Sequence, residues 1–96
     1  MIATTNPATG TVEKTFSPHT DAQVDLAIAQ SVVAFEALKG TSLSQRAAWM
    51  HKAADILDAD ADHFGRLMTL EMGKPLDQAI GEAKKCATAC RYYADH

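Results

Sequence analysis

Two cysteines near the end of the chain are the most reactive side chains in the sequence. Cys86 and Cys90 are four residues apart, so a helix would present both sulfur atoms on one face. Two thiolates at this spacing form half of a soft-metal site, or supply a reactive thiol. The histidines, at positions 19, 51, 63 and 96, show no matching paired spacing that would complete a zinc site. Because free cysteine is among the most buried residue types, we predict that both cysteines pack in a helix core.

Two further groups of residues suggest chemistry but lack the partners that it requires. Histidine is a common general base, yet neither His51 nor His63 has a serine or cysteine at an informative offset, and we predict that both lie at a helix surface or boundary. Asp58, Asp60 and Asp62 resemble the start of a calcium loop. The glycine that such a loop needs at its sixth position and the glutamate at its twelfth are absent. A solvated acidic cap is the preferred interpretation.

No phosphate-binding glycine motif of the dinucleotide or Walker type occurs in the chain. Gly73 and Lys74 lack the upstream glycine and the downstream hydroxyl of such a loop, so they indicate a helix end. Trp49, Met68 and Met72 are predicted to be packing residues. The residues by themselves therefore predict no catalytic, cofactor-binding or metal-binding residue.

The first part of the chain, residues 1–18, has the composition of a β-hairpin. β-Branched and aromatic residues flank the turn sequence NPATG at positions 6–10. Pro7 fixes φ, and Gly10 can adopt the positive φ that hairpin turns often need. We predict strands over Ile2–Thr5 and Val12–Phe16. Because an isolated two-stranded ribbon is only marginally stable in water, the hairpin needs a surface to lie on.

From residue 20 to residue 96 the pattern is helical. Thr20 with Gln23 and Ser42 with Gln45 each form a capping box, which predicts a helix start. Gly40 is predicted to end the first helix as a C′ residue. A further helix should end at Gly73, with residues 74–75 separating it from the last one.

Apolar residues recur at every third or fourth position in this helical part and predict one core-facing side on each helix. These residues are Val24, Ala27, Ile28, Ser31, Phe35 and Leu38 in the first helix; Leu43, Ala47, Met50, Ala54, Leu57 and Ala61 in the second; and Leu76, Ala79, Ile80, Ala83, Cys86, Ala87, Cys90 and Tyr93 in the last. The predicted fold is mainly α, with a short N-terminal hairpin and about four helices, which the short connections favour as antiparallel neighbours.

Composition excludes several classes of protein. The 96 residues are enough for at most one compact unit, and the hydrophobic and charged fractions, 47% and 22%, are ordinary for a globular chain. A formal net charge of −3 and an aromatic fraction of 6% argue against a nucleic-acid partner. We expect no membrane span and no secretory signal, and two cysteines are too few for a disulfide scaffold. A reduced, cytoplasmic protein is the expectation.

One combination of motifs is more specific than any of these features. It consists of residues 6–10 (NPATG), 42–46 (SLSQR), 70–76 (LEMGKPL), 82–83 (EA) and 91–94 (RYYA). In this order and at this spacing, the motifs resemble the N-terminal part of the aldehyde dehydrogenase superfamily. Residues 69–76, 85–87 and 91–93 are most similar to the succinate-semialdehyde dehydrogenases of bacteria. The resemblance runs from about residue 6 to residue 93.

The resemblance implies that residues 1–96 form the N-terminal portion of a Rossmann-like nucleotide-binding domain and pack on a parallel sheet that the chain does not encode. It implies an enzyme in which a cysteine thiolate attacks an aldehyde, a hydride passes to NAD or NADP, and a glutamate activates the water that hydrolyses the thioester. None of these residues maps onto this chain, so Cys86 and Cys90 are not equated with the nucleophile. A homo-oligomer is implied for the whole enzyme.

Two hypotheses follow from the sequence. The chain is either the N-terminal part of an aldehyde dehydrogenase, inactive alone and without bound cofactor, or a free-standing helical interaction module. Under the first hypothesis, Arg46, Glu71 and Lys74 occupy charged helix-packing positions, while Gly73 and Pro75 shape a helix junction. The hairpin and at least one helix face should also lack a burial partner within the chain.

Overall fold

A computed structural model describes residues 1–96 as a two-stranded antiparallel hairpin followed by four helices. The elements are β1 (Ile2–Thr5), β2 (Val12–Phe16), α1 (Asp21–Lys39), α2 (Leu43–Ala59), α3 (Ala61–Met72) and α4 (Leu76–Asp95). Both strands and the mainly helical remainder agree with the sequence prediction. Each helix is too short or too polar to cross a lipid bilayer.

The hairpin turn is closed by its own polar groups. Ile2 lies opposite Phe16 at the open end of the antiparallel pair. In the turn, the Ala8 backbone N–H donates to Oδ1 of Asn6 at 2.9 Å, and the Gly10 N–H donates to the Asn6 carbonyl at 2.8 Å. Gly10 has φ +74°, the left-handed conformation that the turn sequence predicts.

Both predicted capping boxes are present. At the start of α1, the Gln23 N–H donates to Oγ1 of Thr20 at 3.2 Å and the Thr20 N–H donates to Oε1 of Gln23 at 2.8 Å. Ser42 and Gln45 form the same reciprocal pair at the start of α2. These bonds satisfy backbone donors that the first turn of a helix leaves free, and so fix where each helix begins.

Helix α1 stops at the predicted glycine, but Gly40 is its C-cap and not the predicted C′ residue. Gly40 has φ −83° and remains in the right-handed region. Other groups satisfy the free carbonyl of Leu38: the Thr41 hydroxyl donates to it at 2.7 Å and Nη2 of Arg46 at 2.9 Å. Because these donors cap the last turn, the backbone does not need a left-handed residue there.

The buried residues are all alanines and one glycine. α4 packs against both α2 and α3, whereas α2 and α3 contact each other little. The six buried residues lie along these two contacts: Ala54, Ala61, Gly65, Ala79, Ala83 and Ala87. Small side chains let the helix backbones approach closely, and the result is a flat molecule whose extents are 47 × 39 × 16 Å.

Apart from the Arg46 hydrogen bond to its last turn, helix α1 packs against no other element of the fold, and none of its residues is buried. The predicted core stripe of α1 and its packing beside α2 are therefore wrong for this chain. Apolar residues surround the helix, with Leu26, Ile28, Val33 and Phe35 all exposed, so no single side faces a core. The prediction of a helix and a hairpin without burial partners is confirmed for α1 and for β2, whose residues are all exposed, whereas β1 and the hairpin turn lie against α3 and its end.

Several large side chains assigned to packing are also exposed. They are Leu43, Trp49, Met72 and Tyr93, whereas Met68 is half-buried. The reason is geometric. Alanines bring the helix axes so close that large residues flanking the contact project from the two surfaces of the layer instead of between the helices.

The closest helix approach predicts a stability change at Gly65. A Cβ atom at this position would lie 2.9 Å from the Ile80 backbone nitrogen, so the backbones of α3 and α4 would have to separate. We expect Gly65→Ala to lower the free energy of unfolding by about 1–3 kcal/mol, as overpacking does. Urea unfolding followed by circular dichroism measures the change.

Gly81→Ala is the matched control, because nothing lies within 4 Å of its Cβ position in α4. That variant should gain about 0.5–1 kcal/mol from helix propensity. Equal free energies of unfolding for Gly65→Ala and Gly81→Ala would contradict this prediction, because they would show that the contact of α3 with α4 tolerates a methyl group at residue 65.

Candidate functional site

The largest cleft lies between the hairpin turn and the junction of α3 with α4. Its volume is about 420 Å³. The turn contributes the first two of its lining residues and the helices the others: Asn6, Ala8, His63, Arg66, Leu67, Thr69, Leu70, Gly73 and Leu76. Two of the motifs that carry the family resemblance, residues 6–10 and 70–76, therefore meet at this cleft, where the hairpin turn lies against the junction of α3 with α4.

A left-handed glycine forms the base of this cleft. Gly73 has φ +75°, and its N–H donates to the Thr69 carbonyl at 2.9 Å. The Thr69 hydroxyl donates to the Lys74 carbonyl at 2.7 Å, which fixes the path of the chain into α4. A Cβ at Gly73 would lie 3.0 Å from Cγ of Pro7. The roles predicted for Gly73 and Pro75 in shaping this junction are confirmed.

The polar groups of the cleft already have partners. Nε of Arg66 donates to Oδ2 of Asp62 at 2.7 Å, and this hydrogen bond with its charge attraction raises the pKa of Arg66. Oδ1 of Asn6 accepts from the turn, and the Thr69 hydroxyl is bound to backbone. His63 is exposed, as predicted. The cleft therefore offers a shaped surface, but no nucleophile paired with a base.

Two of the three charged residues assigned to helix packing, Arg46 and Glu71, join different elements. Nζ of Lys74 lies 3.6 Å from Oε2 of Glu82, and the Thr4 hydroxyl donates to Oε1 of Glu71 at 3.4 Å, which ties β1 to α3. Arg46 binds the end of α1, as described above. The predicted helix-packing role is therefore confirmed for Arg46, whereas Glu71 meets the hairpin and Lys74 pairs with the helix that it directly precedes.

Arg91 makes the most extensive ionic contact in the molecule. Its guanidinium donates from Nη1 to Asp58 at 2.7 Å and from Nη2 to Asp55 at 3.0 Å, joining α4 to α2. Hydrogen bonds to Asp58 and then Asp55 raise the pKa of Arg91. Sequence reasoning placed Arg91 in a motif but gave it no role, because its partners lie more than thirty positions away.

The predicted burial of both cysteines is wrong. Cys86 is exposed and Cys90 is half-buried. Ala83 and Ala87 take the interior positions of α4, so Cys86 lies at the side of the contact, in an apolar groove of about 330 Å³. Both thiols are free.

The remaining candidates also form no reactive cluster. Nε2 of His51 lies 2.9 Å from Oδ1 of Asp95, and both side chains are largely exposed. Asp60 is the N-cap residue of α3, and its exposed carboxylate makes no capping hydrogen bond, which agrees with a solvated acidic cap. No group of three or more histidine, cysteine or acidic side chains is arranged to hold a metal ion.

Comparison with known proteins connects this scaffold to one family. The model of the aldehyde dehydrogenase family matches residues 1–96. An aldehyde dehydrogenase from Paenarthrobacter nicotinovorans is 52% identical over 95 residues, which are 99% of this chain and 21% of that protein. The NADP(+) succinate-semialdehyde dehydrogenase 1 of Mycobacterium tuberculosis has the same identity and coverage. The chain thus spans about a fifth of the length of these curated relatives.

A solved structure agrees with the sequence relatives. The crystal structure of succinic semialdehyde dehydrogenase from Streptococcus pyogenes, in complex with NADP+ as the cofactor, superposes on this chain with a TM-score of 0.91. The two sequences are 32% identical, and the match covers 99% of this chain and 21% of that one. The hairpin and the four helices are therefore an arrangement that this chain shares with a dehydrogenase.

The contact between the hairpin turn and Gly73 predicts that alanine substitutions at the two left-handed glycines lower the free energy of unfolding by different amounts. Gly10 and Gly73 have nearly equal φ, but only Gly73 has a neighbour, Pro7, at its Cβ position. Gly10→Ala should cost about 1–2 kcal/mol of folding free energy, from backbone strain alone. Gly73→Ala should cost more, because the Pro7 ring must also move, and chemical denaturation compares the two. Equal costs would mean that the turn does not rest on Gly73.

The Arg91 contact predicts a salt-sensitive stability. Arg91→Gln removes the two hydrogen bonds that Arg91 makes from α4 to α2, so we expect the variant to have a lower thermal midpoint than the wild type. The difference between the two midpoints should shrink as added salt screens the wild-type ion pairs. Because folding raises the pKa of Arg91, its contribution is full below the ordinary guanidinium pKa and is lost only as pH rises through the raised value. The difference should therefore persist at neutral and mildly alkaline pH.

Arg66→Gln is the control, because it removes a pair within a single helix. Such local pairs contribute little to stability. A larger loss of thermal stability in Arg66→Gln than in Arg91→Gln would contradict the role assigned to Arg91.

Proposed function

The chain belongs to the aldehyde dehydrogenase family, and from this premise we propose that it is part of an NADP-dependent succinate-semialdehyde dehydrogenase. The observation that carries the proposal is the 52% identity to the NADP(+) succinate-semialdehyde dehydrogenase of Mycobacterium tuberculosis, over 99% of the chain. The Streptococcus pyogenes neighbour, which is a succinic semialdehyde dehydrogenase in complex with NADP+, supports the same substrate and cofactor. The reaction is the oxidation of a small aldehyde to its carboxylate.

Within that enzyme, the proposed role of residues 1–96 is structural, as the N-terminal portion of the nucleotide-binding domain. Two features support this role. Helix α1 is apolar around its circumference yet packs against no other element apart from one hydrogen bond at its end, which is typical of a helix that a larger domain covers. The charged side chains at the helix boundaries, such as Arg46 and Arg91, act on neighbouring elements and leave no reacting group in the cleft.

The residues of this chain do not fit the cofactor that the family implies. The pyrophosphate of NADP needs a glycine-rich turn at a helix start or an unpaired cation. Arg66, the cation of the largest cleft, is paired with Asp62, and no glycine-rich loop precedes a helix. We therefore assign no cofactor contact and no catalytic residue to the chain, and place the chemistry in other parts of the proposed enzyme.

The proposed setting is the cytoplasm, and the proposed assembly of the whole enzyme is a homo-oligomer. The first is supported by two free thiols that have no disulfide partner. The second follows from the general prevalence of symmetric homo-oligomers among soluble proteins.

A chimera tests the proposed function. The 95 matched residues of this chain would replace the corresponding segment of the Mycobacterium tuberculosis enzyme. Because the segment is expected to supply scaffold and no reacting group, the chimera should oxidise succinate semialdehyde and reduce NADP+, within about tenfold of the parent rate, a barrier change near 1.4 kcal/mol. NADPH absorbance measures the rate.

Cys86→Ser and Cys90→Ser provide the controls within the chimera. Both variants should keep its activity, and the 96-residue chain alone should turn over no aldehyde with either nicotinamide. A folded chimera without activity on succinate semialdehyde would refute the proposed function. Loss of turnover on replacing either cysteine would refute the structural role.

A further inference from the structure

The connection between α1 and α2 contains a closed set of hydrogen bonds. The Leu38 carbonyl, at the end of α1, accepts from the Thr41 N–H at 3.0 Å and from the Thr41 hydroxyl at 2.7 Å. Arg46 is the fourth residue of α2; its Nη2 donates to the same carbonyl at 2.9 Å, and its Nε donates to Oγ1 of Thr41 at 3.0 Å. Each of the three residues is therefore bonded to the other two, and together they form what we call the elbow.

The chemistry of the elbow requires an arginine. Nε and Nη2 belong to one planar guanidinium, so their N–H donors keep a fixed geometry and reach two acceptors together. A lysine would place a charge near the negative end of the α1 dipole, but it lacks this fork of donors. The capping box of Ser42 and Gln45 fixes where α2 begins, and hence the position from which Arg46 reaches back to α1.

The elbow bonds are the only contacts that orient α1 within this chain, because the helix packs against no other element. All of them lie within residues 38–46, so they do not depend on what covers α1 in a longer protein. The Streptococcus pyogenes structure superposes on 99% of the chain with a TM-score of 0.91. Since α1 contains 19 of the 96 residues, such a score requires the equivalent helix to point in nearly the same direction.

We propose that Leu38, Thr41 and Arg46 form a rigid elbow, which sets the direction of α1 before any further surface packs on it. A helix that is already held in one direction loses less conformational freedom when it becomes covered, so it docks at a lower entropic cost. Arg46 is thus a positioning residue that acts through the end of α1. The inference applies to any larger domain that covers α1 and does not depend on the proposed substrate or cofactor.

The distance between a spin label on α1 and one on α2, measured by double electron–electron resonance, tests the proposal. The labels are attached through Gln30→Cys and Lys52→Cys, two exposed positions outside the elbow. Cys86→Ser and Cys90→Ser remove the free thiols of the chain, so that only the introduced cysteines carry labels. The sample is the 96-residue chain, in which only the elbow orients α1. The intact elbow should give one narrow distance distribution.

Two substitutions open the elbow in different ways. Thr41→Val removes the shared hydroxyl, and Arg46→Lys keeps the charge but removes the fork. In each variant, the ratio of chains at the main distance to chains at other distances should fall about tenfold, because charge-assisted hydrogen bonds are lost. Thr41→Ser is the matched control, since it keeps the hydroxyl and should retain the narrow distribution. Circular dichroism verifies that every variant keeps its helices.

The exchange of the Arg46 Nε proton with water, followed by NMR, examines the bond to Thr41 directly. Exchange should be slow in the wild type and in Thr41→Ser, and about tenfold faster in Thr41→Val. A broad distribution with the intact elbow, or an equally narrow one in Thr41→Val or Arg46→Lys, would overturn the proposal. Equal proton exchange in Thr41→Ser and Thr41→Val would overturn it as well.

Discussion

The close approach of α4 to its two neighbours is the contact on which the rest of this structure depends. The buried positions hold only alanine and glycine, and at Gly65 not even a methyl group fits against Ile80. Helices that meet through such small residues gain backbone proximity but enclose no large side chain. The molecule is consequently one helix layer thick, and its larger apolar residues, such as Trp49 and Met72, point outward. Domains usually enclose a core between two layers, and this chain supplies only one of them.

Polar contacts at the margins hold that layer in its shape. Arg91 joins α4 to α2, Arg46 joins the end of α1 to α2, and Glu71 joins α3 to the hairpin. Hydrogen bonds are directional, whereas contacts between alanine methyl groups are not. These polar contacts therefore set the angles between the elements. None of them leaves a group available for catalysis. The arrangement supports the scaffold role that we propose, in which this segment would contribute shape and exposed apolar surface.

Two conclusions about the site depended on the sequence alone. The absent phosphate loop and the unmatched histidines led to a prediction of no cofactor or metal site, which stays a prediction, whereas the family motifs identified the family that the comparisons show. The sequence did not determine whether the cysteines are buried. Cys86 and Ala87 both fall within the apolar pattern of the last helix, and only the position of the neighbouring helices decides that Ala87 is buried while Cys86 lies in an open groove.

Local features followed from the sequence because the residues that create them are near each other in the chain. The hairpin with its left-handed Gly10, the capping boxes at Thr20 and Ser42, and the break at Gly73 each depend on bonds that span a few residues. The tertiary structure alone decided which apolar faces are covered, since periodicity shows that a face exists but not what packs on it. It also decided the contacts of Arg91, because no local rule links a guanidinium to carboxylates on a helix two elements earlier in the chain.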